Sequence, residues 1–125
     1  MNKEIGNEKR LNNFEPDLYL RDIDSYIGTE RYYNLLGIYV TDGVNYIMKN
    51  GYSWFVTDAI AVIRTKLRNK NFLAIKLIVK NDQAMMEITD GNDHVFYRQK
   101  YKLTDAKRDL TLFYMDNVLM LSIEY

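Results

Sequence analysis

The second half of the chain is a series of short apolar runs separated by pairs of turn-forming residues. The pairs are Asn81-Asp82, Asp90-Gly91 and Asp116-Asn117, and an Asp-Gly pair suits the type I′ turn of a β-hairpin. The runs between them are rich in β-branched and aromatic residues, which favour strands. The predicted strands lie at residues 72–79, 84–89, 94–101, 110–114 and 118–123. Together they predict an antiparallel meander of four or five strands.

The first half carries the helical signals. Apolar residues recur at helical spacing from residue 55 to residue 67, and Ser53 could cap this helix. A shorter helix is predicted at residues 44–48. Residues 31–40 are aromatic and β-branched, which predicts one strand interrupted by Gly37.

A chain of 125 residues has the length of one domain. Residues 1–16 are polar and show no periodicity, so they predict a flexible N-terminal arm, and residues 17–125 then form a single domain. A further short helix could begin at Pro16 or Asp17 and end at Gly28. We therefore predict an α+β fold, with two or three helices packed on one face of an antiparallel sheet of four to six strands.

Composition excludes several classes of protein. The chain has no Cys and one His, which excludes disulfides, thiolate metal sites and a cysteine nucleophile. Its 17 basic residues balance 17 acidic ones, so it is not a bulk polycation for nucleic acid or membranes. No apolar run approaches the ~18 residues of a membrane helix, and the N-terminus has no apolar signal region. These features predict a cytoplasmic protein with no membrane contact, no metal and no cofactor.

The charges are unevenly spread along the chain. Residues 59–81 carry six cations and no acid, a second basic stretch begins at Arg98, and residues 1–30 are acidic. Two basic segments could form one face for phosphates or for an acidic protein. They could equally be the solvated sides of a helix and of alternating strands. The candidate binding residues are Arg64, Arg68, Lys76, Lys80, Arg98, Lys100 and Lys102.

Few residues suggest catalysis. His94 with Asp90 and Asp93 could hold a metal or act as acid and base, but the same residues suit a solvated turn. No serine elbow and no phosphate-binding glycine loop is present. A small hydrolase or nuclease could add Asp42 and Asp58 to this set, and we predict no catalytic residue.

Aromatic residues are abundant, with eleven tyrosines and one tryptophan. Tyrosine is favoured at interfaces, because it combines a large rigid ring with a polar hydroxyl. A tyrosine-rich core with hydroxyl groups at its rim explains the abundance equally well. Trp54-Phe55, at the start of the main helix, is interpreted as core.

Several short motifs occur in a recognisable order. They are Gly28-Thr29-Glu30, Thr41-Asp42-Gly43-Val44 with Tyr46, Asp58-Ala59-Ile60-Ala61, and Glu124-Tyr125. In this order they resemble an uncharacterised family of small bacterial domains found on plasmids, conjugative elements and phage-like islands. The resemblance covers residues 28–125. The chain departs from the family at Trp54-Phe55, where Tyr-Trp is usual, and at Ala106-Lys107, which replaces an aromatic-proline pair.

The resemblance implies an accessory gene of mobile DNA and supplies no activity. We therefore expect a non-enzymatic binding protein that inhibits a host machinery, such as a CRISPR effector, by occluding its surface. Its partner would be a host protein or a ribonucleoprotein, and pairing through an edge strand could give a homodimer. The alternatives are the carboxylate- or metal-dependent hydrolase or nuclease, and a nucleic-acid binder that uses Arg64, Arg68, Lys76, Lys100 and Lys102.

Overall fold

The structure, a computed structural model, describes residues 31–102 and 104–125. These residues form one seven-stranded sheet with a helical segment packed on one side. The strands are β1 (Tyr32–Leu35), β2 (Ile38–Thr41), β3 (Phe72–Lys80), β4 (Gln83–Thr89), β5 (Val95–Tyr101), β6 (Leu110–Met115) and β7 (Val118–Leu121). The helical elements are α1 (Asp42–Ile47), a π-helical turn (Met48–Tyr52), α2 (Ser53–Lys66) and a short 3-10 helix (Ser122–Glu124).

The strands lie in the order β1-β2-β7-β6-β3-β4-β5. All neighbours are antiparallel except β2 and β7, which are parallel and pair Tyr39 with Val118 and Val40 with Leu119. The edges of the sheet are β1 and β5. Homodimer formation through an edge stays a prediction. The arm at residues 1–16, the helix expected to end at Gly28 and the acidic segment at residues 1–30 lie outside the described residues.

The chain has an α+β architecture, as predicted, but the predicted element counts and the all-antiparallel sheet are wrong. Within the described ranges there is one continuous helical segment besides the three-residue 3-10 helix at Ser122–Glu124, and there are seven strands. The simple meander is also wrong, because β6 pairs with β3 rather than with β5. The five strands predicted in the second half are present, although β7 ends at Leu121.

The one additional strand comes from residues 32–41, which form a hairpin instead of the single strand predicted at residues 31–40. Leu36 and Gly37 both have positive φ angles, of 56° and 88°, as a type I′ turn requires. The Gly37 amide donates to the Asn34 side chain at 3.1 Å, which supports the turn. Leucine rarely adopts positive φ, so local sequence did not indicate a turn at this position.

The other turn pairs behave differently from one another. Asn81-Asp82 and Asp116-Asn117 adopt positive φ at both residues and form two-residue hairpin turns, as predicted. Asp90-Gly91 does not form a type I′ hairpin. It belongs to a five-residue loop between β4 and β5, in which the Asp90 amide donates to the His94 carbonyl at 3.1 Å.

The helical segment begins and bends at identifiable residues. Thr41 caps α1, since its hydroxyl oxygen accepts from the Val44 amide at 3.3 Å. The π-helical turn contains Gly51 with φ of 102°, which separates α1 from α2. Ser53, predicted as a cap, is instead the first residue of α2, and no side chain caps that helix.

The helical segment covers one side of the sheet and forms the core with it. The apolar residues predicted for α2 are buried, including Phe55, while Trp54 is half-buried against the core, in line with their predicted core role. They pack on alternate residues of the strands, such as Leu73, Ile75 and Leu77 of β3. Among the described helices, none is long and apolar enough to cross a membrane.

Candidate functional site

The side of the sheet opposite the helical segment carries the clearest cluster of charge. We call this side the open face; it is defined by Lys76 and the other even-numbered residues of β3 with their cross-strand partners. Lys76 pairs with Glu87 of β4, and Glu87 pairs with Arg98 of β5. Because directly paired residues point to the same side of a sheet, all three side chains lie on the open face.

The same register adds two further lysines. Lys80 pairs with Gln83, and Lys100 pairs with Met85, which is two residues from Gln83 on β4. Lys76, Lys80, Arg98 and Lys100 are all exposed. Together these four side chains form what we call the cationic stripe, on β3 and β5, the two strands that flank β4. Lys102 is exposed and follows β5 directly.

One carboxylate interrupts the stripe. Glu87 accepts a 2.9 Å ion-paired hydrogen bond from Arg98 Nε. Lys76, Lys80 and Lys100 form no ion pair with any residue in the described part of the chain. The stripe therefore keeps a net charge of +3, in which three lysine ammonium groups face solvent.

An aromatic cluster lies on the same open face, beside the stripe. The rings of Phe72 and Phe113 are 5.2 Å apart, and that of Phe113 lies 5.4 Å from Tyr125, which is 74% exposed. Phe72 is four residues before Lys76 on β3, so both point to the open face. The Tyr39 side chain lies on the same face and is exposed.

The core interpretation of the tyrosines is confirmed for part of the set, and the interface interpretation stays a prediction. Tyr52 and Tyr114 are buried in the core, whereas Tyr32, Tyr39 and Tyr125 are exposed. Sequence reasoning missed the aromatic cluster, although the strand parity that joins Phe72 to Lys76 was a signal for it.

The structure places the seven predicted binding residues on two different sides of the sheet. Lys76, Lys80, Arg98 and Lys100 share the open face, and Lys102 adjoins it. Arg64 and Arg68 belong to the helical side: Arg64 lies in the last turn of α2 and donates to the Leu36 carbonyl of the β1–β2 turn. A single surface with all seven residues is therefore not formed.

The candidate catalytic carboxylates serve local structure. Asp58 accepts a 2.8 Å hydrogen bond from the Tyr101 hydroxyl, which ties α2 to β5. Asp90 accepts from the Asn92 amide at 2.9 Å within its own loop, and Asp42 accepts from the Arg31 amide at 3.2 Å. These groups are not brought together, and no three His, Asp or Glu side chains among residues 31–102 and 104–125 could hold a metal ion.

Two side chains near these carboxylates are His94, a candidate acid or base, and Tyr101, the hydrogen-bond partner of Asp58. The His94 ring packs edge-on against Phe96, with 4.7 Å between ring centroids. Burial raises the pKa of Tyr101, and the hydrogen bond to Asp58 raises it further. Tyr101 therefore remains a neutral hydrogen-bond donor at ordinary pH.

The motifs at the two ends of the described chain meet in space. The Glu124 carboxylate accepts hydrogen bonds from the Thr41 hydroxyl at 2.7 Å and from the Gly43 amide at 3.2 Å. A Cβ atom on Gly43 would lie 2.6 Å from Glu124 Oε1, so any larger residue there would displace the carboxylate. The Thr-Asp-Gly-Val and Glu-Tyr motifs thus form one structural joint. The chain belongs to the family of unknown function DUF6876.

The DUF6876 family model matches residues 17–125. No curated protein and no solved structure matches the chain. The description of the DUF6876 family assigns no activity to the domain.

Proposed function

We propose that this DUF6876 protein is a non-enzymatic binding protein of a phage or other mobile element that inhibits a host machinery by covering its surface. The observation that supports this function is the cationic stripe on the open face. The partner would be a host protein or ribonucleoprotein that presents acidic groups. A CRISPR effector is one assembly of that kind, and the mobile-element context rests on the motif resemblance alone.

The charge balance of the open face favours an acidic partner. Three lysine ammonium groups of the stripe face solvent, and Glu87 is already paired with Arg98. A basic partner surface would be repelled from this face, whereas an acidic partner surface would be attracted to it. Charge complementarity of this kind mainly raises the association rate and the selectivity between partners.

The shape of the open face favours binding over catalysis. Enzyme sites usually enclose their substrates and exclude water, and a sheet surface of exposed lysines does neither. Seven strands at a spacing of about 4.8 Å give a face roughly 29 Å across, which suits the ~800 Å² that each partner contributes to a standard interface. Exposed Tyr39 and Tyr125 add the rigid aromatic area that is common at interfaces.

A nucleic-acid-binding accessory protein is the second candidate, and one observation favours it. The aromatic cluster of Phe72, Phe113 and Tyr125 lies next to the cationic stripe on the same face. Proteins that bind single strands combine cations for the backbone with aromatic rings on which bases stack. Steep loss of affinity with rising salt would be the signature of such binding.

The experiment compares two charge-reversal variants of the full chain. Lys76→Glu with Lys100→Glu alters the stripe, and Lys49→Glu alters an exposed lysine of the π-helical turn as the control. Partners captured from host extract by the wild-type protein are purified, and their affinity for each variant is measured. We expect the double variant to lose at least tenfold in affinity and the control to bind like the wild type.

Equal binding by all three proteins would exclude the stripe as the interface. A single-stranded oligonucleotide is tested in parallel over a salt series. Binding of the oligonucleotide that weakens steeply with salt, without any protein partner, would favour the second candidate.

A further inference from the structure

A cleft of about 450 Å³ lies on the helical side of the sheet, away from the open face. Ile38 of β2 and Ile63 of α2 lie at its base and are almost fully buried. Its polar lining consists of Arg64, Arg68, Tyr114 and Asn117, together with Gly37 of the β1–β2 turn. Two cations and no carboxylate thus line a cleft whose accessible surface is mainly polar.

The walls of the cleft are held together by hydrogen bonds. The Asn117 side-chain amide donates to the Gly37 carbonyl at 3.0 Å, and the Tyr39 amide donates to the Asn117 carbonyl at 3.0 Å. These bonds join the β1–β2 turn to the β6–β7 turn. Arg64 donates to the Leu36 carbonyl, so its guanidinium group is anchored at the rim. The cleft is therefore formed by three elements that are hydrogen-bonded to one another: the β1–β2 turn, the β6–β7 turn and α2.

Donor groups remain available inside it. A guanidinium group has five N–H donors. Arg64 uses one of its nitrogens to donate to the Leu36 carbonyl, and its other N–H groups remain available. Arg68, which follows the C-cap of α2, is exposed and makes no hydrogen bond or ion pair with a described residue. The Tyr114 hydroxyl is not one of these free donors, because it donates to the Asn117 side-chain oxygen at 3.3 Å. Burial raises the pKa of Tyr114, and the charge of Arg68 opposes that rise, so the phenol stays neutral.

The positive charges that line the cleft favour an anion with two negative charges. The C-terminus of α2 contributes about half a negative charge, which is much smaller than the two arginine charges. One bidentate guanidinium group satisfies a carboxylate, whereas two such groups match a dianionic phosphate.

We propose that the cleft lined by Arg64 and Arg68 binds the dianionic phosphate of a phosphate monoester, such as a 5′-phosphate. The group could belong to a free nucleotide or to the 5′ end of a nucleic acid strand. This site lies on the opposite side of the sheet from the cationic stripe, so it goes beyond the proposed function and does not depend on it.

Backbone amide shifts of the full chain, followed by NMR, test the proposal. The probes are AMP, adenosine and a short single-stranded oligonucleotide with a 5′-phosphate or a 5′-hydroxyl. We expect AMP to give saturable shifts at Gly37, Ile38 and Asn117, and adenosine to give none. If the source is a strand end, the oligonucleotide with a 5′-phosphate will bind more tightly than AMP and the 5′-hydroxyl strand will not reach the cleft.

Two substitutions provide the matched comparison. Arg68→Gln removes a cation that makes no hydrogen bond or ion pair with any residue the structure describes, and should weaken AMP binding at least tenfold without changing the thermal midpoint. Arg98→Gln removes a cation from the open face and should leave AMP binding unchanged. Shifts that do not saturate, adenosine binding equal to that of AMP, or full affinity in Arg68→Gln would each overturn the proposal.

Discussion

The hydroxyl group of Thr41 donates a 2.7 Å hydrogen bond to the carboxylate of Glu124, across 83 positions of sequence. Thr41 is 2% exposed, and the same hydroxyl oxygen caps α1 at the Val44 amide. Glu124 also accepts from the Leu121 amide at 2.8 Å. A single carboxylate therefore connects the start of the helical segment to the end of the sheet.

Removal of this carboxylate should lower stability. Glu124→Ala leaves the buried Thr41 hydroxyl and the Gly43 amide without their acceptor, at a cost of about 2–4 kcal/mol in the free energy of unfolding. Glu124→Gln keeps one acceptor oxygen and should cost less. Urea unfolding measures both, with Ser122→Ala as the neighbouring control. A loss below about 0.5 kcal/mol in Glu124→Ala would contradict the assigned role.

Gly43→Ala should destabilise the protein through steric contact with Glu124. The added Cβ would lie 2.6 Å from Glu124 Oε1 and 2.7 Å from Leu121 Cδ1, which forces the carboxylate away from its donors. We expect a cost of roughly 2 kcal/mol in the wild type and a smaller cost in a Glu124→Ala background. The coupling is read from urea unfolding of the double-mutant cycle. Strict additivity would show that the two residues act independently.

The hydrogen bond between Tyr101 and Asp58 should make stability pH-dependent above pH 10. Burial raises the pKa of Tyr101 above its ordinary 10.0, so at higher pH the unfolded phenol loses its proton while the folded one keeps it. The unfolded state then binds fewer protons, and stability falls as pH rises. The Tyr101→Phe variant lacks this titration, so its unfolding free energy should decline less steeply above pH 10. Parallel pH curves for the two proteins would contradict this assignment.

The turn between β1 and β2 offers a route to higher stability. Leu36 has φ of 56°, which costs a leucine about 1–2 kcal/mol, and its side chain is mostly exposed. Asn tolerates this geometry, and Asn-Gly is a preferred type I′ pair. We expect Leu36→Asn to be about 1 kcal/mol more stable than Leu36→Ala in urea unfolding. The Ala variant controls for lost packing, and equal stability of the two would show that the turn is not strained.

Short-range sequence patterns correctly predicted the strands and turns that depend only on neighbouring residues. Two of the three Asx-containing turn pairs and the five strands around them followed from turn chemistry and β-branched content. The Leu36-Gly37 hairpin was missed because leucine gives no turn signal. Asp90-Gly91 was predicted to form a two-residue hairpin turn, but the loop has five residues. A register shift between Ile88 and Thr89 changes the pairing at the end of β4, so two residues do not connect β4 to β5.

Sequence alternation by itself determined that Lys76 and Lys80 share one side of a strand and that Arg98 and Lys100 share one side of another, because the period of a strand is two residues. Only the tertiary structure decided that these two sides coincide, that Phe113 joins them and that Arg64 and Arg68 do not. Those outcomes depend on cross-strand register and on which strands become neighbours. Both are chosen by burial of the whole core, which no local segment encodes.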